Sequence, residues 1–154
     1  MDLQRLYWTK NVKSVEPNKE WAYPNPQTPF KLEWKNCENN ANKPQRNDLI
    51  LLRQRGYVTH LVKVLDDKSD RKDLKVEGDF NFYREVKVIW TINNPPDEFR
   101  AEVIFEYPAV LSYQGGNVMR LEELPTFREA WDSKGGISAF QKSVQAKLDD
   151  VKAG

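Results

Sequence analysis

Two kinds of residue in this chain are placed to do chemistry: carboxylates spaced with a lysine, and aromatics set among amides. Glu85-Val86-Lys87 puts a glutamate and a lysine on one side of an extended segment, with Asp66, Asp67, Asp70, Asp73 and Asp79 upstream. A magnesium-dependent nuclease uses that combination, with acidic groups on the metal and a lysine beside the attacking water. Alternating charges on a half-exposed strand give the same pattern, and Pro96-Asp97 follows the Glu-x-Lys where such a partner would precede it. Nucleophilic catalysis has less to draw on, because it needs a nucleophile, a base and an orienting group. His60 is the only histidine and falls mid-strand on the side of Val62 and Val64. A structural role is the ordinary one there. Cys37, the only cysteine, has no base adjacent in sequence. A histidine cluster for metal is absent, and Gly115-Gly116 lacks the Lys-Ser/Thr of a phosphate loop. The expectation is no catalytic residue, no metal and no cofactor: a binding protein, with a nuclease using Glu85 and Lys87 as the alternative.

The aromatics are the more unusual component. In FKLEWKNCENNANKPQRNDLILL, Phe30 to Leu52, Trp34 stands beside five asparagines: Asn36, Asn39, Asn40, Asn42 and Asn47. Exposed aromatics stack on bases and enclose methyl groups or cations. Amide side chains both donate and accept, which suits reading a base edge. The plain reading is a turn-rich connector with Trp34 buried, since asparagine is common in turns. Both readings stand on these residues alone. Of the other tryptophans, Trp131 reads as core at helical spacing from Phe127. Trp90 is core or a pocket floor, Trp8 flanks a polar segment, and Trp21 lies among prolines.

The elements that position these groups are mostly strands. LQRLYWT (3–9) reads as a first strand. Residues 14–30 carry Pro17, Pro24, Pro26 and Pro29 and read as loop. Residues 49–65 read as an antiparallel hairpin turning at Gly56, and 66–73 as a charged connection. REVKVIWTI (84–92) alternates, with Val86, Val88, Trp90 and Ile92 on one face. AEVIFEY (101–107) alternates too, with Val103, Phe105 and Tyr107 together. Gln114-Gly115-Gly116-Asn117 is a turn, and VMRLEEL after it is ambiguous. Thr126 to Glu129 looks like a capping box opening a short helix. Residues 137–151 form a last helix with Ile137, Phe140, Val144, Leu148 and Val151 on one face. Strands in hairpins without crossover helices argue against a doubly wound fold.

At 154 residues the chain is read as one domain, 1–154. Hydrophobic content of 39% with 31% charged residues suits a soluble protein. There is no apolar run long enough for a membrane span, the N-terminus lacks a signal-peptide core, and one cysteine forbids an internal disulfide. The expected location is cytoplasmic. Charge is uneven: residues 1–63 hold 11 Lys/Arg against 6 Asp/Glu, net +5, and residues 64–154 hold 13 against 17, net −4. A basic N-terminal part suits a polyanion, although ordinary fluctuation along a chain gives the same split.

The order of motifs resembles the PUA-like superfamily, in its EVE and YTH branches. Trp34 is followed by Asn39, the turn Asn47-Asp48 and an aliphatic strand, as in the EVE pattern, with Glu38 where that pattern has arginine. DLILLRQRGYVTHLVKVLDD resembles the central hairpin of these domains. FYREVKVIWTINNPP resembles their strand of alternating Val and Trp ending near prolines, and SYQGGNVMRLEELP the segment crossing the pocket. The resemblance runs from Arg5 to about Leu148; the proline-rich loop at 14–30 and the segment 101–107 do not map onto it.

The resemblance implies an α+β fold, a PUA-like mixed or antiparallel β-barrel with flanking helices including a C-terminal one. It also implies recognition of a modified base, flipped into an aromatic cage, in DNA or RNA. Such domains often accompany a restriction or effector subunit, and no membrane is involved. Carried over to this chain, Trp34 and Asn39 are the leading pocket residues, then Trp8 and Trp90. Tyr113 and Gln114 match by position in the crossing segment. Phosphate contacts would come from Lys31, Lys35, Lys43, Arg46, Arg53 or Arg55. A protein-interaction module using the proline-rich loop and the last helix is a further alternative.

Overall fold

The structure, a computed structural model, describes residues 2–12, 29–35, 37–71, 80–113 and 115–153. Trp21, Gln114, Asp73, Asp79 and most of the proline-rich loop lie outside them, as do the side chains from Val151 onward. The strands are β1 (Leu6–Asn11), β2 (Phe30–Lys35), β3 (Leu49–Gln54), β4 (Tyr57–Val64), β5 (Asp70–Arg71), β6 (Phe80–Thr91) and β7 (Val118–Arg120). The α-helices are α1 (Glu38–Ala41), α2 (Ala101–Phe105), α3 (Pro125–Trp131) and α4 (Gly136–Ala153). The sheet runs β2-β6-β4-β3-β1-β7, with β5 added beside β6. Only the β1–β3 pair is parallel among the described pairs. The fold is α+β: a mixed sheet curled into a half-barrel, with helices including a C-terminal one. None of the helices in the described residues is long and apolar enough to cross a membrane.

The central hairpin forms as expected. Gln54 pairs with Tyr57, so the loop is the two residues Arg55 and Gly56. Their φ angles of 53° and 83° match a tight turn whose twist suits the flanking strands. The all-aliphatic run Leu49 to Leu52 is buried on both faces, because two cores lie on either side of it. Inside the half-barrel are Trp8, Leu32, Trp34, Ile50, Leu52, Val62, Val64, Val86 and Val118. On the outer face Leu49, Leu51, Val58, Leu61 and Trp90 pack against the helices. There Phe140 of α4 lies 5.1–5.3 Å, centroid to centroid, from Phe105, Phe127 and Trp131. Phe140, Val144 and Leu148 are fully buried, as the helical spacing predicts.

Three expectations are corrected. Residues 101–105 are a helix, not a strand: Ala101, Ile104 and Phe105 are buried and Val103 is exposed, an i, i+3, i+4 pattern. The alternation along 84–92 does not persist. Trp90 pairs with Leu61 but Val88 pairs with Val62, leaving Ile89 as an extra residue. That bulge sends Val86 and Trp90 into different cores. The capping box does not form. Helix α3 begins at Pro125 with Leu124 as N-cap and no side-chain cap bond; proline suits the first helical position. Thr126 turns its hydroxyl to Tyr113 instead.

Candidate functional site

The residues around Trp34 build a seam. β2 and β7 are the outer strands of the sheet, and Asn40 joins them. Trp34 Nε1–H donates to Asn40 Oδ1 at 2.8 Å, and the Val118 amide donates to the same oxygen at 2.7 Å. Asn40 Nδ2 then donates to the Val118 carbonyl at 3.0 Å. Trp34 is fully buried. Trp8 is buried alongside and donates to Asp48 Oδ2 at 3.0 Å. Asp48 also takes the Gln45 amide and Arg5 Nη2, at 2.9 and 2.7 Å. The indole N–H groups of both tryptophans therefore go to residues that shape the turns before β3. Trp90 lies in the other core against Phe99, 5.3 Å away. Asn39 is exposed on α1, and the structure does not bring it together with Trp34.

Lys10 projects into the same interior. It is buried, and its Nζ lies 4.9 Å from the centre of the Trp34 ring. Burial lowers its pKa from 10.5 to about 7, with Glu33 pulling it up and Arg53 pushing it further down. His60 pairs with Leu52, which pairs with Lys10, so all three share one row across the sheet. His60 Nδ1 contacts Thr59 Oγ1 at 2.8 Å and Gln54 Nε2 at 3.3 Å, while Nε2 has no partner. Its burial lowers the pKa to about 4.

A concave feature of the surface lies elsewhere, along β5 and β6. It is a cleft of about 560 Å³, within the roughly 300–1,000 Å³ usual for small-molecule sites. Half-buried Phe82 and Tyr83 form part of its wall. Glu38, Asp66, Asp70 and Glu85 supply carboxylates, and Lys68 and Arg71 supply cations. Lys31 Nζ sits 4.6 Å from the Tyr83 ring centre, and Arg71 Cζ 5.9 Å from that of Phe82. Tyr83 also donates to Asp70 at 3.3 Å. Ser69 Oγ in this cleft is buried without a partner, while its amide donates to Asn42 Oδ1 at 2.6 Å.

Asp66 is committed to the fold. Its Oδ1 accepts from Arg84 Nε at 2.6 Å and its Oδ2 from the Glu85 amide at 2.9 Å. Arg84 is fully buried and spends Nη1 on the carbonyls of Ala41 and Pro44, at 2.9 and 2.7 Å. Among the described residues, no group of three His, Cys, Asp or Glu side chains is placed to hold a metal ion. Glu85 does share the cleft with Asp66 and Asp70; Lys87 is exposed and is not among its lining residues.

The basic residues singled out from sequence divide into groups. Lys31 stands at the cleft. Arg46 pairs with Asp67 at 3.0 Å, next to Asp66. Lys35 and Lys43 are exposed on neighbouring segments. Arg55 is on the hairpin turn and Arg53 is buried, both away from the cleft's lining residues. Arg53 meets Tyr113, donating from Nη1 to its carbonyl at 2.8 Å with the guanidinium 5.7 Å from its ring centre.

Sequence reasoning passed over Phe82, Tyr83, Lys68, Arg71 and Lys10. Aromatics abutting a charged run were the available signal for the first four. A lysine at a core position between Trp8 and Val12 was the signal for the last. Compared with family models, with curated proteins and with solved structures, the chain matches none.

Proposed function

We propose that this chain is a nucleic-acid-binding module and that its cleft holds a base carrying a small modification such as a methyl group. The carrying observation is the meeting of a half-buried aromatic, Tyr83, with cations and carboxylates in one cleft, Lys68, Arg71, Asp70 and Glu85, while Lys31, outside the lining, lies 4.6 Å from the Tyr83 ring centre. In this reading the base stacks on Tyr83, while Phe82, the next residue along the strand, packs against the half-barrel interior. The exocyclic amine of the base donates to Asp70 or Glu85, and Lys31, Arg46, Lys68 and Arg71 meet phosphates. Trp34 and Trp8 hold the half-barrel in shape behind that wall, and Trp90 packs in the core on the helix side. The resemblance to PUA-like EVE and YTH domains supports the ligand class, and the curled mixed sheet with a C-terminal helix is compatible with it. A restriction or effector subunit would supply any cutting.

The energetics allow a modest preference. Flipping a base costs a few kcal/mol, one stacking partner returns about 1–3 kcal/mol, and a buried methyl adds about 0.8 kcal/mol. The test is fluorescence titration with plain and modified oligonucleotides, DNA and RNA, at two salt concentrations. Tyr83→Ala should weaken the preferred oligonucleotide by ~5–150-fold, the equivalent of the lost stacking. Unchanged affinity in that variant would remove the cleft from the reading. Because Glu85 shares the cleft with Asp66 and Asp70, Mg²⁺ is included, and cleavage would favour the nuclease alternative. Absence of binding at low salt would favour a protein-interaction module.

A further inference from the structure

We propose that Arg53 anchors a second, buried anion site, separate from the Tyr83 cleft, which takes a phosphate-type oxyanion. Arg53 is only 3% exposed. Its Nε donates to Thr9 Oγ1 at 2.9 Å, and its Nη1 to the carbonyls of Tyr113 and Val110 at 2.8 and 3.4 Å. Every one of these acceptors is neutral. Nη2 is buried and has no partner among the described residues. Among the described residues no carboxylate pairs with this guanidinium; Lys10, the other buried cation at this end of the sheet, repels it.

A buried charge is ordinarily paired, because desolvation is costly unless a counter-charge and hydrogen bonds offset it. Arg84 shows how the same fold satisfies a buried guanidinium, with Asp66 and backbone carbonyls occupying its nitrogens. Arg53 has the carbonyls without the carboxylate. Its unpartnered Nη2 keeps N–H groups available to an acceptor, and the planar fork matches an oxyanion's geometry. The hydroxyls of Tyr107, Tyr113 and Thr126 form a chain nearby, Tyr107 to Tyr113 at 3.1 Å, and hydroxyls can donate to an anion as readily as to one another. The anion comes either free in solution or as the phosphodiester of a nucleic acid.

The experiment follows the side-chain Nε–H resonance of Arg53 in ¹⁵N-labelled protein while inorganic phosphate replaces chloride at constant ionic strength. Thermal unfolding is recorded on the same samples. A saturable shift of that resonance with a rise in Tm is expected. Arg53→Lys, which keeps the charge and loses the fork, should bind phosphate at least tenfold more weakly, whereas Lys142→Gln on the exposed side of α4 should bind normally. A short unmodified oligonucleotide in place of phosphate distinguishes the sources: the same shift identifies a backbone phosphate, and a shift with inorganic phosphate alone identifies a free oxyanion. No phosphate-dependent shift in the wild type, or equal affinity in Arg53→Lys, overturns the proposal. If Arg53→Lys fails to fold, the wild-type resonance decides alone. The Tyr83→Ala titration is read independently, so loss of one site leaves the other standing.

Discussion

Lys10→Met should change the pH dependence of stability in a way no other single substitution in the half-barrel would. Burial holds the Lys10 ammonium at a pKa of about 7, against 10.5 unperturbed. Between those values the unfolded chain carries a proton on Lys10 and the folded chain does not. Unfolding then takes up one proton, so stability rises with pH by about 1.4 kcal/mol per unit across the window. Below pH 7 both states are protonated and the penalty is constant at its largest, about 5 kcal/mol as an upper bound. Methionine keeps the unbranched stem and removes the charge. It also gives up the contact of Nζ with the Trp34 ring, worth ~0.5–2 kcal/mol. The variant should therefore be the more stable protein at pH 7 by roughly 3 kcal/mol, and the advantage should vanish or reverse near pH 10. Urea unfolding followed by tryptophan fluorescence at pH 6.5, 7.5, 8.5 and 9.5 measures this. The difference between the two proteins cancels the groups they share. Parallel stability curves across that range would refute the reasoning, because they would mean that Lys10 keeps its proton when folded.

His60 should act in a lower window. Its folded pKa of about 4 lies below the usual 6.5, so the stability it shares in is lost as pH falls from 6.5 toward 4; His60→Phe should flatten that part of the curve in acid titration. Asn40→Ala leaves the Trp34 indole and both Val118 backbone groups without partners, and should cost ~3 kcal/mol or more in urea unfolding. Asp66→Ala strands the buried Arg84 guanidinium and should cost ~3–5 kcal/mol; a loss under 1 kcal/mol would show that Arg84 is already satisfied by its carbonyls.

Much of the architecture was legible because its signals are local. The β3–β4 hairpin announces itself by an aliphatic run, a glycine turn and a second apolar run. Helix α4 does so by Phe140, Val144 and Leu148 at helical spacing. Residues 101–107 mislead because Val103, Phe105 and Tyr107 alternate while Ala101, Ile104 and Phe105 satisfy the helical period equally well. Tertiary packing chooses between them. The bulge at Ile89 leaves no mark in composition, so the separation of Val86 from Trp90 could not be read. Nothing in the sequence distinguishes Asn40 from Asn39; only the curl of the sheet makes one a bridge and leaves the other in solvent. The cleft is drawn from residues at 38, 66–71 and 82–85, and β5 pairing against β6, with Arg84 tying Asp66 to α1, brings those stretches together.

The seam at Asn40 has a consequence for how copies of this chain behave in a crowded solution. A curled sheet that stops short of closing has two open borders, and unpaired backbone groups on such borders invite a neighbouring molecule to add a strand. β7 is only three residues long, and its Val118 amide and carbonyl are both taken by one amide side chain. Asn40 thus does locally what an additional strand would do, without lengthening the sheet. Asn40→Asp would replace its donor with a second acceptor facing the Val118 carbonyl, reopening that border. One side chain therefore stands between this border and strand addition by a neighbouring molecule.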